Sequence, residues 1–315
     1  MPETITAVVA ATDGQKIVNR SQIAPREPFS NEAVIAVTAF SVNRGECRRA
    51  QRSDEAVQIG WDFVGKVERA AADGSGPAPG TRVVGFSTRM EGWAEKVCIN
   101  TNYICPIPDA VSDAQASTLP VAGLTALHAV EGGSCILGDK VLVTGATGGV
   151  GLFAVQLAHL VGADVFAQVR RQEQVAFVEG LAPCTAVISS NGEGIEDAGP
   201  FRLVVDGVSG GVLKAGIEAL APHGMAVCYG VTAEPEIGLH VQHFMTRGLA
   251  QITGFHLYNK SESHPPRDHL ARLLRLMETG RLTCPLGREA SWEEIDSVAQ
   301  ELIDRQFSGK AVLHI

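Results

Sequence analysis

Hydrophobic positions change character along this chain. In the first third they fall in short runs of β-branched and aromatic residues between glycines. Ala33–Phe40, Phe63–Arg69, Arg82–Phe86 and Trp93–Ile99 read as strands, and Asp73–Gly80 (DGSGPAPG) as a turn-rich loop. From about Ser112 the period lengthens and helices alternate with strands. Ala114–Leu119 begins a helix and Gly123–Glu131 forms another. Further helices are predicted near Gln172–Gly180 and Gly211–Leu220, with strands near Ala186–Ile188, Arg202–Asp206, Met225–Tyr229 and Ala250–Phe255. Such alternation implies a parallel sheet wrapped by helices. Two amphipathic helices, Arg267–Thr279 and Trp292–Arg305, and a closing strand Ala311–Ile315 complete the pattern. The reading is an α/β chain in which residues 1–117 and 256–315 form a β-rich domain, interrupted by a doubly wound domain over 118–255.

The most informative stretch runs from Lys140 to Arg171 (KVLVTGATGGVGLFAVQLAHLVGADVFAQVRR). Val141–Val143 reads as a buried strand, Gly145, Gly148, Gly149 and Gly151 crowd a turn, a helix covers about Val150–Val161, and Asp164–Gln168 is a second strand. Strand, glycine turn, helix and strand in about thirty residues is the layout of a dinucleotide-binding unit. A pyrophosphate lies against backbone N–H groups at a helix N-terminus, where the helix dipole favours negative charge. A side chain at Gly148 would hold the phosphates away, and one at Gly151 would push the helix off the strand. Ala146 stands at the first glycine of the usual G-x-G-x-x-G, so the pattern reads A-x-G-x-x-G, with Gly149 and Val150 inside it.

The end of the second strand bears on which dinucleotide binds. NAD sites place an acid about twenty residues on, to accept from the ribose 2′-hydroxyl. Here Arg170 and Arg171 occupy that place. A guanidinium suits a 2′-phosphate, so the expected cofactor is NADPH. If both arginines are merely solvated, the missing acid still argues against selection of NADH.

Composition narrows the partners. The net charge is −9 and no long basic cluster occurs, which argues against a nucleic-acid surface. The N-terminus (MPETITAVVAATDG) lacks the basic and long apolar regions of a secretory leader, and no apolar run is long enough to span a membrane. The seven cysteines, Cys47, Cys98, Cys105, Cys135, Cys184, Cys228 and Cys284, form no close pair and suggest free thiols in a reducing cytoplasm.

Several motifs in order then carry a resemblance: SVNRGE (Ser41–Glu46), GWDFVGKV (Gly60–Val67), PGTRVVGF (Pro79–Phe86), GWAEKV (Gly92–Val97), LPVAGLTALHAV (Leu119–Val130), GATGGVG (Gly145–Gly151), ITGF (Ile252–Phe255) and GKAVLHI (Gly309–Ile315). Over nearly its whole length the chain resembles the medium-chain dehydrogenase/reductases, in their zinc-free quinone oxidoreductase branch. The resemblance implies a GroES-like catalytic domain, a Rossmann domain, NADPH as cofactor and a homodimer. With the glycine turn and the two arginines, Asp206, Gly230, Phe255 and Lys310 are the expected cofactor-binding residues. The dimer is expected through the apolar edge Ala250–Leu257.

In zinc-dependent relatives a Cys, a Gly-His-Glu and a second Cys hold the metal. Those positions fall here at Asn43, at Gly60-Trp61-Asp62 and near Ala122, so no metal is expected. Cys47, close by, reads as a packing residue. Without a metal to polarise a carbonyl, the expected hydride acceptor is a quinone or a conjugated enone. Asn43 is expected to orient the acceptor oxygen or the nicotinamide ribose by donating from its amide, and Thr125 to line the nicotinamide side.

Many relatives carry a Tyr after the Asn motif. This chain reads CRRAQRSDEAVQI, with Arg48, Arg49 and Arg52 and no Tyr, so the last proton is expected from water. The arginines either face an anionic substrate or are solvated. His128 reads as a packed residue, and His256 lies nearer the expected site. Two other readings stay open: an enoyl-thioester reductase, and a non-enzymatic NADPH-binding protein on the same fold.

Overall fold

The computed structural model describes residues 4–133 and 137–315. The first three residues of the N-terminal segment read above, and Cys135, lie outside them. The chain divides into two compact units, one up to Leu124 with Tyr258–Ile315, the other Thr125–Leu257.

The first unit is built on the long strand Glu32–Val42, whose residues are nearly all buried. It pairs antiparallel with Asp62–Arg69, with Lys96–Asn100 and with the closing strand Lys310–His314. Ala311 stands opposite Val42, so the register brings Lys310 beside Asn43. The core of this unit includes Phe40 stacked on Trp93, ring centroids 5.2 Å apart, with Trp292 edge-on to Phe40.

Elements of this unit that were not legible in the pattern include the hairpin Ile5–Ala10 with Val18–Ile23, the strands Ile104–Pro106 and Leu286–Ser291, and the helix Arg44–Gln51. The expected strand Trp93–Ile99 is regular only over Lys96–Asn100, because the Trp93 carbonyl turns away to accept the Val8 N–H (2.8 Å). The unit reaches past residue 117 through a π-helical turn, Leu119–Gly123, which the Val121 N–H ties to Asp62 Oδ1 (2.9 Å).

The second unit holds a six-stranded sheet, parallel throughout. Its spatial order is Thr185–Ile188, Asp164–Val169, Lys140–Val143, Phe201–Asp206, Leu220–Cys228, Gln251–Gly254. The order reverses between Lys140–Val143 and Phe201–Asp206, the switch point at which open α/β sheets bind ligands beyond the strands' carboxyl ends. Helix Gly149–Leu160 is apolar nearly all round and buried from Gly151 to Ala158. The helix expected near 172–180 resolves into a 3₁₀ turn, Gln172–Gln174, and a short helix, Val175–Glu179. No helix among the described residues is long and apolar enough to cross a membrane.

Candidate functional site

In the first unit the chemistry gathers around Asn43, which stands before helix Arg44–Gln51. Its main-chain N–H donates to Glu46 Oε2 (2.8 Å), three residues on, as the N-x-x-E spacing of a helix start allows. Its side-chain amide gives one hydrogen bond to Glu46 Oε2 (3.0 Å) and one to Asp62 Oδ2 (2.8 Å). Its carbonyl oxygen accepts from the Lys310 ammonium, which also donates to the Val42 carbonyl (3.1 Å). Asp62 Oδ2 further accepts from Ser41 Oγ (2.6 Å) and lies 3.7 Å from Lys310 Nζ. Glu46 Oε1 accepts the Trp61 main-chain N–H.

Two carboxyls and one ammonium are thus almost sealed from water. Burial, and after it the charge of Asp62, pushes Glu46 well above the usual carboxyl range. Burial also raises Asp62, against the opposing pull of Lys310. A lone ammonium faces two acids, so one proton shared with Glu46 relieves the imbalance.

The geometry changes what is expected of two residues. An amide has two donor hydrogens, and both of Asn43's are given to carboxylates. Asn43 therefore holds the cluster together instead of donating to a substrate oxygen. Lys310, expected among the cofactor-binding residues, has its ammonium buried on Val42 and Asn43.

This place does not fit zinc either. Trp61 and Ala122 offer no metal-binding lone pair, and the Asp62 oxygens are already engaged by Ser41, Asn43, Val121 and Lys310. The Cys47 thiol is buried, and burial raises its pKa far above the ordinary value, against the thiolate a metal requires.

In the second unit the glycine turn has the dinucleotide geometry. A Cβ on Gly151 would stand 2.4 Å from the Gly145 carbonyl oxygen, so glycine is required there for the helix to meet the strand. Gly148 differs: its backbone is extended (φ −85°), and a Cβ would meet only Gly145 O, at 3.3 Å. That contact is tight, but much looser than the one at Gly151. The turn opens a twelve-residue helix, whose N-terminal backbone N–H groups would fit a pyrophosphate. Gly149 and Val150 form the helix's first turn, and Ala146 is buried with its N–H on the Gln168 carbonyl (3.1 Å).

Residues the sequence did not single out fix this turn. Gln168 Oε1 accepts the Gly145 N–H (2.8 Å) while its Nε2 donates to the Ser189 carbonyl (2.6 Å). Thr144 Oγ1 donates to Asp206 Oδ1 (2.6 Å), and Asp206 Oδ2 accepts the Ser209 N–H (2.9 Å). Asp206 is fully buried, and burial raises its pKa. It serves as an internal strut between the two strands at the switch point. Gly230 lies against Gly207, beside that strut.

Arg170 and Arg171 are exposed at the end of strand Asp164–Val169, with no carboxylate at the strand end. Phe255 is half-buried, its N–H on the Cys228 carbonyl (2.8 Å), and its ring is 6.1 Å from the buried His128 ring, which agrees with a packed histidine. Thr125 is buried at the start of the second unit, and His256 is exposed.

Known proteins agree with this architecture. A family model described as zinc-binding dehydrogenase matches residues 149–278. The quinone oxidoreductase from Coxiella burnetii superposes with a TM-score of 0.86 at 23% identity, over 99% of this chain and 100% of that one. The CurK enoyl reductase does so with 0.85 at 22%, over 99% of each. In sequence, quinone oxidoreductase-like protein 2 of Bos taurus is 24% identical over 93% of this chain and 88% of its own. The spectinabilin polyketide synthase system protein NorB of Streptomyces orinoci is 32% identical over 71% of this chain. The chain spans only 10% of NorB's length, and 14% of a mycocerosic acid synthase-like polyketide synthase of Mycobacterium tuberculosis.

Residues 149–278 match the zinc-binding dehydrogenase family model, and the fold of the chain is that of solved quinone oxidoreductases and enoyl reductases.

Proposed function

We propose that the chain is an NADPH-dependent, zinc-independent reductase that delivers hydride to a quinone or to the activated C=C of an enone. The observation that carries the reading is the glycine turn at the start of a buried twelve-residue helix, followed at the next strand end by Arg170 and Arg171. When bound, the nicotinamide supplies the hydride. The chain's own part is to orient the acceptor and to meet the negative charge that gathers on its oxygen. With no zinc-fitting donor set at Asn43, Trp61 and Ala122, a conjugated acceptor that delocalises this charge is the suitable substrate class.

One observation favours a second reading. The polyketide synthases and the CurK enoyl reductase among the relatives support an enoyl thioester as the conjugated acceptor. A screen of NADPH oxidation across quinones, enones and enoyl thioesters decides between them. Turnover of thioesters alone would replace the first reading, and NADPH binding with no turnover would leave the non-enzymatic one.

The homodimer belongs to the same proposal. Gln251–Gly254 is the sheet's edge strand, exposed along its length, and Val241, Met245, Leu249 and Ile252 present apolar side chains to solvent beside it. Sedimentation at micromolar concentration is expected to give a dimer, which Ile252→Lys should convert to monomer.

A further inference from the structure

Ser209 holds a backbone conformation that glycine alone adopts at ease. Its φ is 68° and its ψ −163°, in the region all but reserved for glycine. It stands between strand Phe201–Asp206 and helix Gly210–Glu218 of the second unit, and it is buried. Gly210 and Gly211 follow at once, so glycine is present on either side of need but absent from the position that asks for it. The surroundings hold the strain in place. The Ser209 N–H donates to Asp206 Oδ2 (2.9 Å), and its Oγ donates to the Glu234 carbonyl (2.7 Å). The Val208 carbonyl accepts the N–H groups of Thr232 (3.0 Å) and Ala233 (2.8 Å). The loops that leave strands Phe201–Asp206 and Leu220–Cys228 are thereby fastened together at the carboxyl end of the sheet.

The fastened loop bears on the glycine turn. Thr144 Oγ1, just ahead of Gly145, donates to Asp206 Oδ1 (2.6 Å) and accepts the Gly207 N–H (3.2 Å). A Val208 methyl carbon lies 3.2 Å from the spot that a Cβ on Gly145 would take. Gly207 and Val208 stay partly exposed there. Strain of this kind persists only where the surroundings over-determine it, and ligand clamps are among the places that use it. We propose that Ser209 is a positioning residue for the dinucleotide. Its strained backbone and its tether to Glu234 hold Gly207 and Val208 against the glycine turn before the ligand arrives, so that binding does not have to order them. Ser209 acts through these two neighbours. The proposal rests on the dinucleotide reading of the turn.

The test compares Ser209→Gly with Ser209→Ala in the full chain. Both lose the tether to Glu234. Glycine takes up the backbone conformation without strain, whereas alanine keeps the strain. Without cofactor, Ser209→Gly should therefore melt above Ser209→Ala. In fluorescence titration it should weaken NADPH and NADH alike, on the order of tenfold, because the loop must now be ordered on binding. Amide hydrogen exchange across Gly207–Gly211 should be faster than in wild type without cofactor and should slow when cofactor is added. A merely structural serine would lower the melting temperature and leave the affinity of the folded protein as it was. The proposal is overturned if Ser209→Gly melts below Ser209→Ala, fails to fold, or binds the dinucleotide as tightly as wild type. Wild type that binds neither NADPH nor NADH overturns the dinucleotide reading and this proposal with it. Wild-type binding that Ser209→Gly leaves unchanged overturns the proposal alone.

Discussion

The two units place their candidate chemistry by opposite means. Around Asn43 the first unit crowds side chains until two acids, an amide and an ammonium satisfy one another out of water. At the glycine turn the second unit removes side chains, so that backbone N–H groups and a helix end face outward. A buried charge cluster tolerates the loss of a partner poorly, because what remains is an uncompensated charge. A bare turn tolerates no gain where its space is already filled, as at Gly151. Fragility thus follows subtraction in one unit and addition in the other.

The largest expected break of that contrast is Lys310→Met. It leaves Glu46 and Asp62 facing each other without a cation, and should cost about 3–5 kcal/mol in denaturant unfolding. A cost under about 1 kcal/mol would mean that Asp62 does not depend on Lys310 to hold its charge.

Addition in the other unit comes next. Gly151→Ala forces a methyl to within 2.4 Å of a carbonyl oxygen and should cost roughly 1–3 kcal/mol of stability. Gly148→Ala, whose methyl would meet the same oxygen at 3.3 Å, should lower the melting temperature less than Gly151→Ala while weakening NADPH binding, measured by fluorescence titration. Equal melting temperatures for the two variants would remove the distinction between a packing glycine and a ligand glycine.

Changing Arg170 and Arg171 together to Ala should weaken NADPH about tenfold to a hundredfold and leave NADH nearly unchanged, as loss of charged hydrogen bonds to the 2′-phosphate requires. Tighter binding of NADH than of NADPH by wild type would overturn the cofactor assignment.

The smallest effect sharpens the first unit. Glu46 holds its proton to higher pH in the folded chain than in the unfolded one. The unfolded chain binds fewer protons in that window, and stability falls as pH rises from about 4.3, the ordinary carboxyl value, through the raised one. Glu46→Gln should flatten that slope in urea midpoints measured across the window. An unchanged slope would place the titration on Asp62.

The sequence by itself determined what is local. Lys140–Arg171 could be read as a dinucleotide unit because strand, turn, helix and strand follow one another, and each glycine acts within a few residues of its own position. The absence of an acid at the second strand's end could be read the same way. So could Glu46, in retrospect, from its N-x-x-E spacing to Asn43. Tertiary structure alone decided the rest. Lys310 reaches Asn43 because the closing strand pairs with Glu32–Val42 in a register that no local pattern encodes. Gln168 and Thr144 act as struts only once neighbouring strands bring Gly145 and Asp206 against them. Tyr258 has no motif around it, and it reaches Trp61 only through the packing of a helix far away in the chain. Local spacing fixes which backbone groups are bare. Which distant charges and hydroxyls meet them depends on strand register and packing, which sum over contacts far apart in sequence.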